Sequence, residues 1–396
     1  MKIGVFFVSL LSAFSALAQA ESLIPERAFF PLEPGPWGEI EAQLVKLAPT
    51  ISLIEKVSEG AARDNAWAFA EPTIELVAQR LRTANLSETL IQQLLGPEHA
   101  RFDVEKGLWF VVPTAEAILA LSPIQRAQLY APMRALPTWS DASYVRNPLP
   151  IENSDPARWF SGVGLSQQTI DLATRLCYQQ GRTTVLSDVD FIASQIADEK
   201  EKIAFLRAAE QTEAVVLRLR LTPQSNIRAL ANYWSNPETE STVRAMLEAL
   251  QPQSGERWID IAQLLPPMPR SRLYSFTQPA DVSVSLPDCR WTALNFFANQ
   301  PSSRLADEST AFQALESNYD PVPPPFRFGD VIVIFEKETG KFIHSCVYIA
   351  DSIVFTKNGN SSLNPWTLQR DDRLSRLYVR DRVIEMKVMR RRQKDS

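Results

Sequence analysis

Apolar positions recur at helical steps through much of the first half of the chain. Ile40, Leu44, Leu47, Ile51 and Ile54 are three or four residues apart, as are Ile74, Val77 and Leu81. That spacing puts each set on one side of a helix and predicts helix through most of residues 39–95. Ser122-Pro123 predicts a further helix start, a capping hydroxyl before a first-turn proline, followed by Ile124, Ala127, Gln128, Ala131 and Leu136. Ser166 predicts another, with Ile170, Ala173 and Cys177 facing one way, and residues 198–211 and 225–251 carry the same period. One stretch differs. Val215, Leu217, Leu219 and Leu221 alternate with Val216, Arg218 and Arg220, which reads as a strand or an extended helix edge.

The pattern changes at Pro266, Pro267 and Pro269, which cannot continue a helix and mark a domain boundary. Beyond them one helix follows Asp288. A second proline cluster at 321–325 then precedes three apolar runs, 331–335, 342–349 and 353–356, separated by a polar turn and by Ala350-Asp351-Ser352. A helix followed by a meander of strands is an α+β order. The expected organisation is residues 1–20 as a signal peptide, 21–265 as a mostly α-helical region with no assignable role, and 266–396 as a helix packed on an antiparallel sheet. The signal peptide rests on Lys2, the apolar run from Ile3 to Leu17 and the small-x-small site Ala18-Gln19-Ala20. It predicts an exported protein, periplasmic or secreted, with no integral membrane segment after cleavage.

Composition narrows the chemistry. A formal charge of −5 makes the chain a poor nucleic-acid binder. Only two histidines are present, His99 and His344, so a multi-histidine metal site is excluded, and no organic cofactor is implied. The three cysteines, Cys177, Cys289 and Cys346, form no CxxC pair. Cys177 falls on an apolar helix face, as core cysteines do. A bridge between Cys289 and Cys346 stays open.

Cys289 carries the candidate chemistry. Asp288 is a suitable helix cap, which places Cys289 in a first turn, where the helix dipole and free N–H groups favour a thiolate and can hold an oxyanion. His344 is the one histidine in the β-rich region and the candidate base. If Ala350-Asp351-Ser352 is a three-residue turn, Thr356 and Asn358 share the face of His344 and either can orient its ring, while Lys357 points away.

Over residues 270–390 these features resemble the NlpC-type peptidases of the papain-like superfamily. Asp288-Cys289 stands at a helix start, Gly329-Asp330 leads a strand, and His344-Ser345-Cys346-Val347-Tyr348-Ile349-Ala350-Asp351-Ser352 follows the family's histidine strand. Arg290 and Trp291 replace the family's serine and glycine, and Cys346 replaces a glycine beneath the helix. The resemblance implies a papain-like fold and a cysteine peptidase or amidase. In it Cys289 attacks an amide of a peptide or cell-wall-derived substrate, His344 serves as base, and Thr356 or Asn358 is the third member. It also implies substrate contacts from Tyr274, Asp288 and Arg290. Two other functions fit the same residues: a binding or scaffold protein of the cell envelope that keeps the fold without turnover, and an acyltransferase or deacylase acting on an ester or thioester.

Overall fold

The computed structural model describes residues 24–25, 29–60, 66–136, 144–151, 155–277, 286–379 and 383–392. The expected signal peptide lies outside the described residues. The chain forms two compact units, one of residues 1–50 with 211–396 and one of residues 51–210.

The first unit opens with β1 (Ile24–Pro25), β2 (Phe30–Pro31) and β3 (Ile40–Leu47). β3 replaces the helix expected there. Its helical spacing is overridden by pairing at long range: it runs antiparallel to residues 212–219, from Leu47 opposite Thr212 to Ile40 opposite Leu219.

Residues 51–210 hold two three-stranded antiparallel sheets. One contains β4 (Trp67–Phe69), β5 (Ala100–Asp103) and β6 (Leu108–Val111). The other contains β7 (Leu149–Ile151), β8 (Tyr178–Gln180) and β9 (Thr183–Leu186). Among their helices, α1 (Pro123–Arg134) starts as expected, with a reciprocal cap between Ser122 and Gln125. Its buried face is Arg126, Leu129, Tyr130 and Met133, and Ile124 is exposed, so the stripe read from Ile124 was out of phase. The Ser166-capped helix ends at Leu176, with Cys177 buried as the next residue. α2 (Val189–Gln195) completes the elements used below.

The chain returns to the first unit with β10 (Thr212–Leu221), the strand read from alternation, and β11 (Arg257–Asp260). These join β1 and β3 in one sheet, with β2 on the β3 edge. α3 (Cys289–Leu294) and α4 (Glu308–Asn318) follow. The rest is a six-stranded antiparallel sheet of β12 (Tyr319–Pro321), β13 (Val331–Glu336), β14 (Phe342–Ala350), β15 (Ile353–Lys357), β16 (Trp366–Arg370) and β17 (Ile384–Arg391), with α5 (Asp371–Val379) between the last two. The strand order is β12-β17-β13-β14-β15-β16.

The fold therefore mixes helices with antiparallel sheets. The division expected near residue 266 is not where contacts divide, and among the described residues of 21–265 helices are interleaved with strands β1 to β11. β10 belongs with the C-terminal elements: the Tyr274 hydroxyl donates to the Val215 carbonyl at 2.6 Å, and the Tyr274 N–H donates to the Trp366 carbonyl at 2.7 Å. The prolines start a short helix, Pro267–Arg272, because a first turn needs no N–H from them. Among the described residues no helix is long and apolar enough to cross a membrane.

The β14–β15 hairpin fixes the faces of the six-stranded sheet. Its turn is two residues, with Asp351 in the left-handed region at φ 48°, a conformation aspartate tolerates better than most. The pairing then shifts by one residue between Tyr348 and Ala350, so Tyr348 lies opposite Val354 and Val347 opposite Phe355. Turn and shift together give the same parity as a three-residue turn. His344, Cys346, Val354 and Thr356 share one face, and Ser345, Val347, Phe355 and Lys357 share the other.

Candidate functional site

Cys289 is set by its helix. Asp288 caps α3 by accepting the Trp291 N–H at 2.9 Å. The cap is braced by Arg290, which donates to Asp288 at 2.8 Å and pairs with Glu308 of α4. Trp366 fixes the helix to the sheet, donating from Nε1 to the Thr292 hydroxyl at 2.9 Å, and Phe296 packs on Phe355 at 5.9 Å between ring centres. α3 thus covers the face of Phe355 and Lys357. Only 5% of Cys289 is exposed. Burial, followed by the charge of Asp288, pushes its thiol up to about 11, although the Ser345 backbone N–H pulls the other way. The thiolate expected from a helix start is therefore not formed at neutral pH: desolvation outweighs what a helix of six residues supplies.

His344 lies on the other face. Its Nε2 is 2.9 Å from the Thr356 hydroxyl, and its ring stacks on Tyr378 of α5 at 4.3 Å. Thr356 in turn donates to Asn358 Oδ1 at 3.5 Å. The structure brings together His344, Thr356 and Asn358, as the hairpin parity predicts, but does not bring them to Cys289. The reason is strand alternation. Ser345 is the residue of β14 that faces α3, so its neighbour His344 faces α5. Burial pushes His344 down to about 3, which leaves the ring neutral at physiological pH. The catalytic pair expected from the sequence is thus absent from this arrangement.

The residues expected as substrate contacts hold structural bonds. Tyr274 is buried, with its hydroxyl committed to Val215, and burial holds its pKa well above the ordinary tyrosine value. Asp288 serves as cap and Arg290 as its brace. Cys289 and Cys346 are separate, buried thiols, so the open bridge between them is not formed. Among the described residues no three His, Cys, Asp or Glu side chains gather as a metal site.

No family model matches the chain, no curated protein matches it, and no solved structure matches it.

The residue that sequence reasoning passed over is Lys357. It is fully buried, donates to the Ser361 and Gly359 carbonyls at 2.7 and 3.2 Å, and lies over the Trp366 ring. Burial pushes its amine down to about 7, against smaller pulls from Cys289 and Asp288. The hairpin parity already turned it away from His344; what the sequence did not supply was that α3 covers that side.

Lys357 carries a stability prediction. Its ordinary value of 10.5 applies to the unfolded chain, so between about pH 7 and 10.5 the unfolded state holds more protons. Its burial penalty is complete below pH 7 and is relieved as pH rises through that window. Urea denaturation should therefore show stability of the native chain rising from pH 7.5 to 9.5 relative to Lys357→Met. Parallel pH curves for the two proteins would count against a proton-poor buried amine.

Proposed function

We propose that this chain is a non-catalytic binding or scaffold protein of the cell envelope, built on a papain-like frame that has lost the cysteine–histidine pair. One observation carries this reading: Cys289, at the start of α3, meets the sheet face of Ser345, whereas His344 is on the opposite face against α5. Near-complete burial, which raises the thiol to about 11, supports a packing role for Cys289 over a nucleophilic one. Export is part of the proposal and rests on the N-terminal sequence alone.

A second reading has its own support. Lys357 shares the face of Cys289, and an amine near pKa 7 is the kind of group that serves as a general base. In that reading the neutral Lys357 amine takes the thiol proton, and Cys289 attacks the carbonyl of an amide or ester, a cell-wall peptide or acyl group by resemblance. The C–N or C–O bond breaks as the leaving amine or alcohol takes the proton back from Lys357, and water then hydrolyses the acyl-enzyme.

Thiol alkylation separates the two. At pH 6 iodoacetamide should modify native Cys289 more slowly than the same thiol in urea, and cell-wall fragments and model esters should turn over no faster than with Cys289→Ala. Rapid labelling of native Cys289, with turnover that disappears in both Cys289→Ala and Lys357→Met, would replace the scaffold reading with the second.

A further inference from the structure

The sheet face turned away from Cys289 carries a one-way chain of side-chain hydrogen bonds. Gln369 Nε2–H donates to the Thr367 hydroxyl at 2.8 Å, and Asn358 Nδ2–H donates to Gln369 Oε1 at 3.3 Å. The Thr356 hydroxyl donates to Asn358 Oδ1 at 3.5 Å, and His344 Nε2 lies 2.9 Å from the Thr356 oxygen. A Thr356 hydroxyl that donates to Asn358 leaves the proton of the last contact to Nε2, and this assigned tautomer makes His344 Nδ1 a bare lone pair. That nitrogen is buried and has no hydrogen-bond partner among the described residues.

Tyr378 of α5 stacks on the ring at an interplanar angle of 16°. α5 is nine residues long, too short to be stable alone. Leu374 is its buried anchor, and Leu377 and Tyr378 are partly buried against Ile332, Ile334, Tyr348 and Val354. A few apolar contacts, a hydrogen bond from the Tyr378 hydroxyl to Asn358 Oδ1 at 3.4 Å and one from the Asp371 N–H to the Ser352 carbonyl at 2.8 Å therefore hold a helix over a histidine that stays neutral while it is covered.

We infer that His344 is an acid-operated latch: protonation at Nδ1 releases α5 from the sheet and uncovers the apolar face of Ile332, Ile334, Tyr348 and Val354. The proton comes from solvent when α5 lifts, and an imidazolium cannot be re-covered without losing its hydration. The other groups around the ring do not supply a counter-charge. On α5, Asp372 is held by Arg376 and by Arg370 of β16 at 3.0 and 3.3 Å, and Arg373 is itself a buried cation. At the far end of the same face Asp330 is paired with Arg390 at 2.7 Å. From the sheet, Cys346, Thr356, Thr367 and Gln369 are uncharged. Asp371 acts with the opposite sign: burial raises its carboxyl, so its protonation favours the closed form.

The closed ring titrates at about 3 and the open ring at the ordinary 6.5. The opening constant of α5 should therefore rise about 25-fold from pH 7 to pH 5. Hydrogen exchange of the full chain, corrected for intrinsic rates, reads it directly from the α5 amides. His344→Gln keeps a donor toward Thr356 but cannot titrate, and should flatten the rise, whereas Asp371→Asn should keep it. Unchanged α5 protection between pH 7 and 5, or the same rise in His344→Gln, overturns the latch. If the glutamine variant does not fold, the native ring signals decide. The chain has two histidines, so His344 is readily assigned. A His344 signal that shifts only in step with α5 opening supports the latch, and one that titrates near 6.5 with α5 still protected overturns it.

Discussion

Replacing Arg126 by alanine should destabilise the 51–210 unit by about 3–5 kcal/mol, the usual cost of leaving one member of a buried ion pair alone. Arg126 is wholly buried and donates from Nε to Asp188 at 2.7 Å. Its remaining nitrogens donate to the Leu121 and Ile118 carbonyls at 3.2 and 2.6 Å, and Tyr130 donates to the other Asp188 oxygen at 2.6 Å. Every strong group in the cluster is thus satisfied, and the guanidinium ties α1 to the residue that precedes α2. Without Arg126, Asp188 keeps one hydroxyl against a desolvation that already raises its carboxyl. The check is chemical denaturation with a probe inside residues 51–210. Arg126→Met combined with Asp188→Leu should cost less than Arg126→Ala alone. If the single variant loses under 1 kcal/mol, the cluster is not a structural ion pair.

Trp366→Ala should be comparably damaging in the other unit, at about 3–5 kcal/mol for a buried tryptophan. Its indole is fully buried, packs against Trp291, holds the Thr292 hydroxyl and lies under the Lys357 amine. Removing it opens a cavity and also frees α3. Cys289 should then become accessible, so thiol labelling under native conditions should quicken in step with the loss of stability. Trp366→Phe, which keeps the ring but not the hydrogen bond, should lose less. If Cys289 stays as protected as before in Trp366→Ala, α3 is held by something other than this indole.

Much of the second half of the chain was legible. The apolar runs gave β13, β14 and β15 nearly to the residue, and the Asp288 cap placed α3, because local chemistry decides both. Hairpin parity correctly grouped Thr356 and Asn358 with His344. The missing step was long-range: nothing local tells which face of the sheet a helix some fifty residues earlier will cover. Trp291, Leu294, Phe296 and Phe297 supply an apolar helix face, but their spacing does not say which strand residues meet it. Phe355 and Trp366 answer that, and both lie on the side of Lys357. The same limit explains β3, whose partner β10 is about 170 residues away in sequence. Arg126 was detectable. It falls three, four and seven residues before Leu129, Tyr130 and Met133, so a charged residue sits inside the true apolar stripe of α1, and such a residue calls for a buried partner.

The alternation of β14 also bears on descent. Ser345 occupies the position from which an imidazole would look toward Cys289, one residue along from the histidine the chain already has. A slip of the whole strand would turn Val347 and Ile349 out of the core, so selection cannot easily reach the other arrangement by sliding. It can reach it by exchanging a single side chain. A histidine in place of Ser345 would turn an imidazole toward the side of Cys289 while every other residue of the strand keeps its own face.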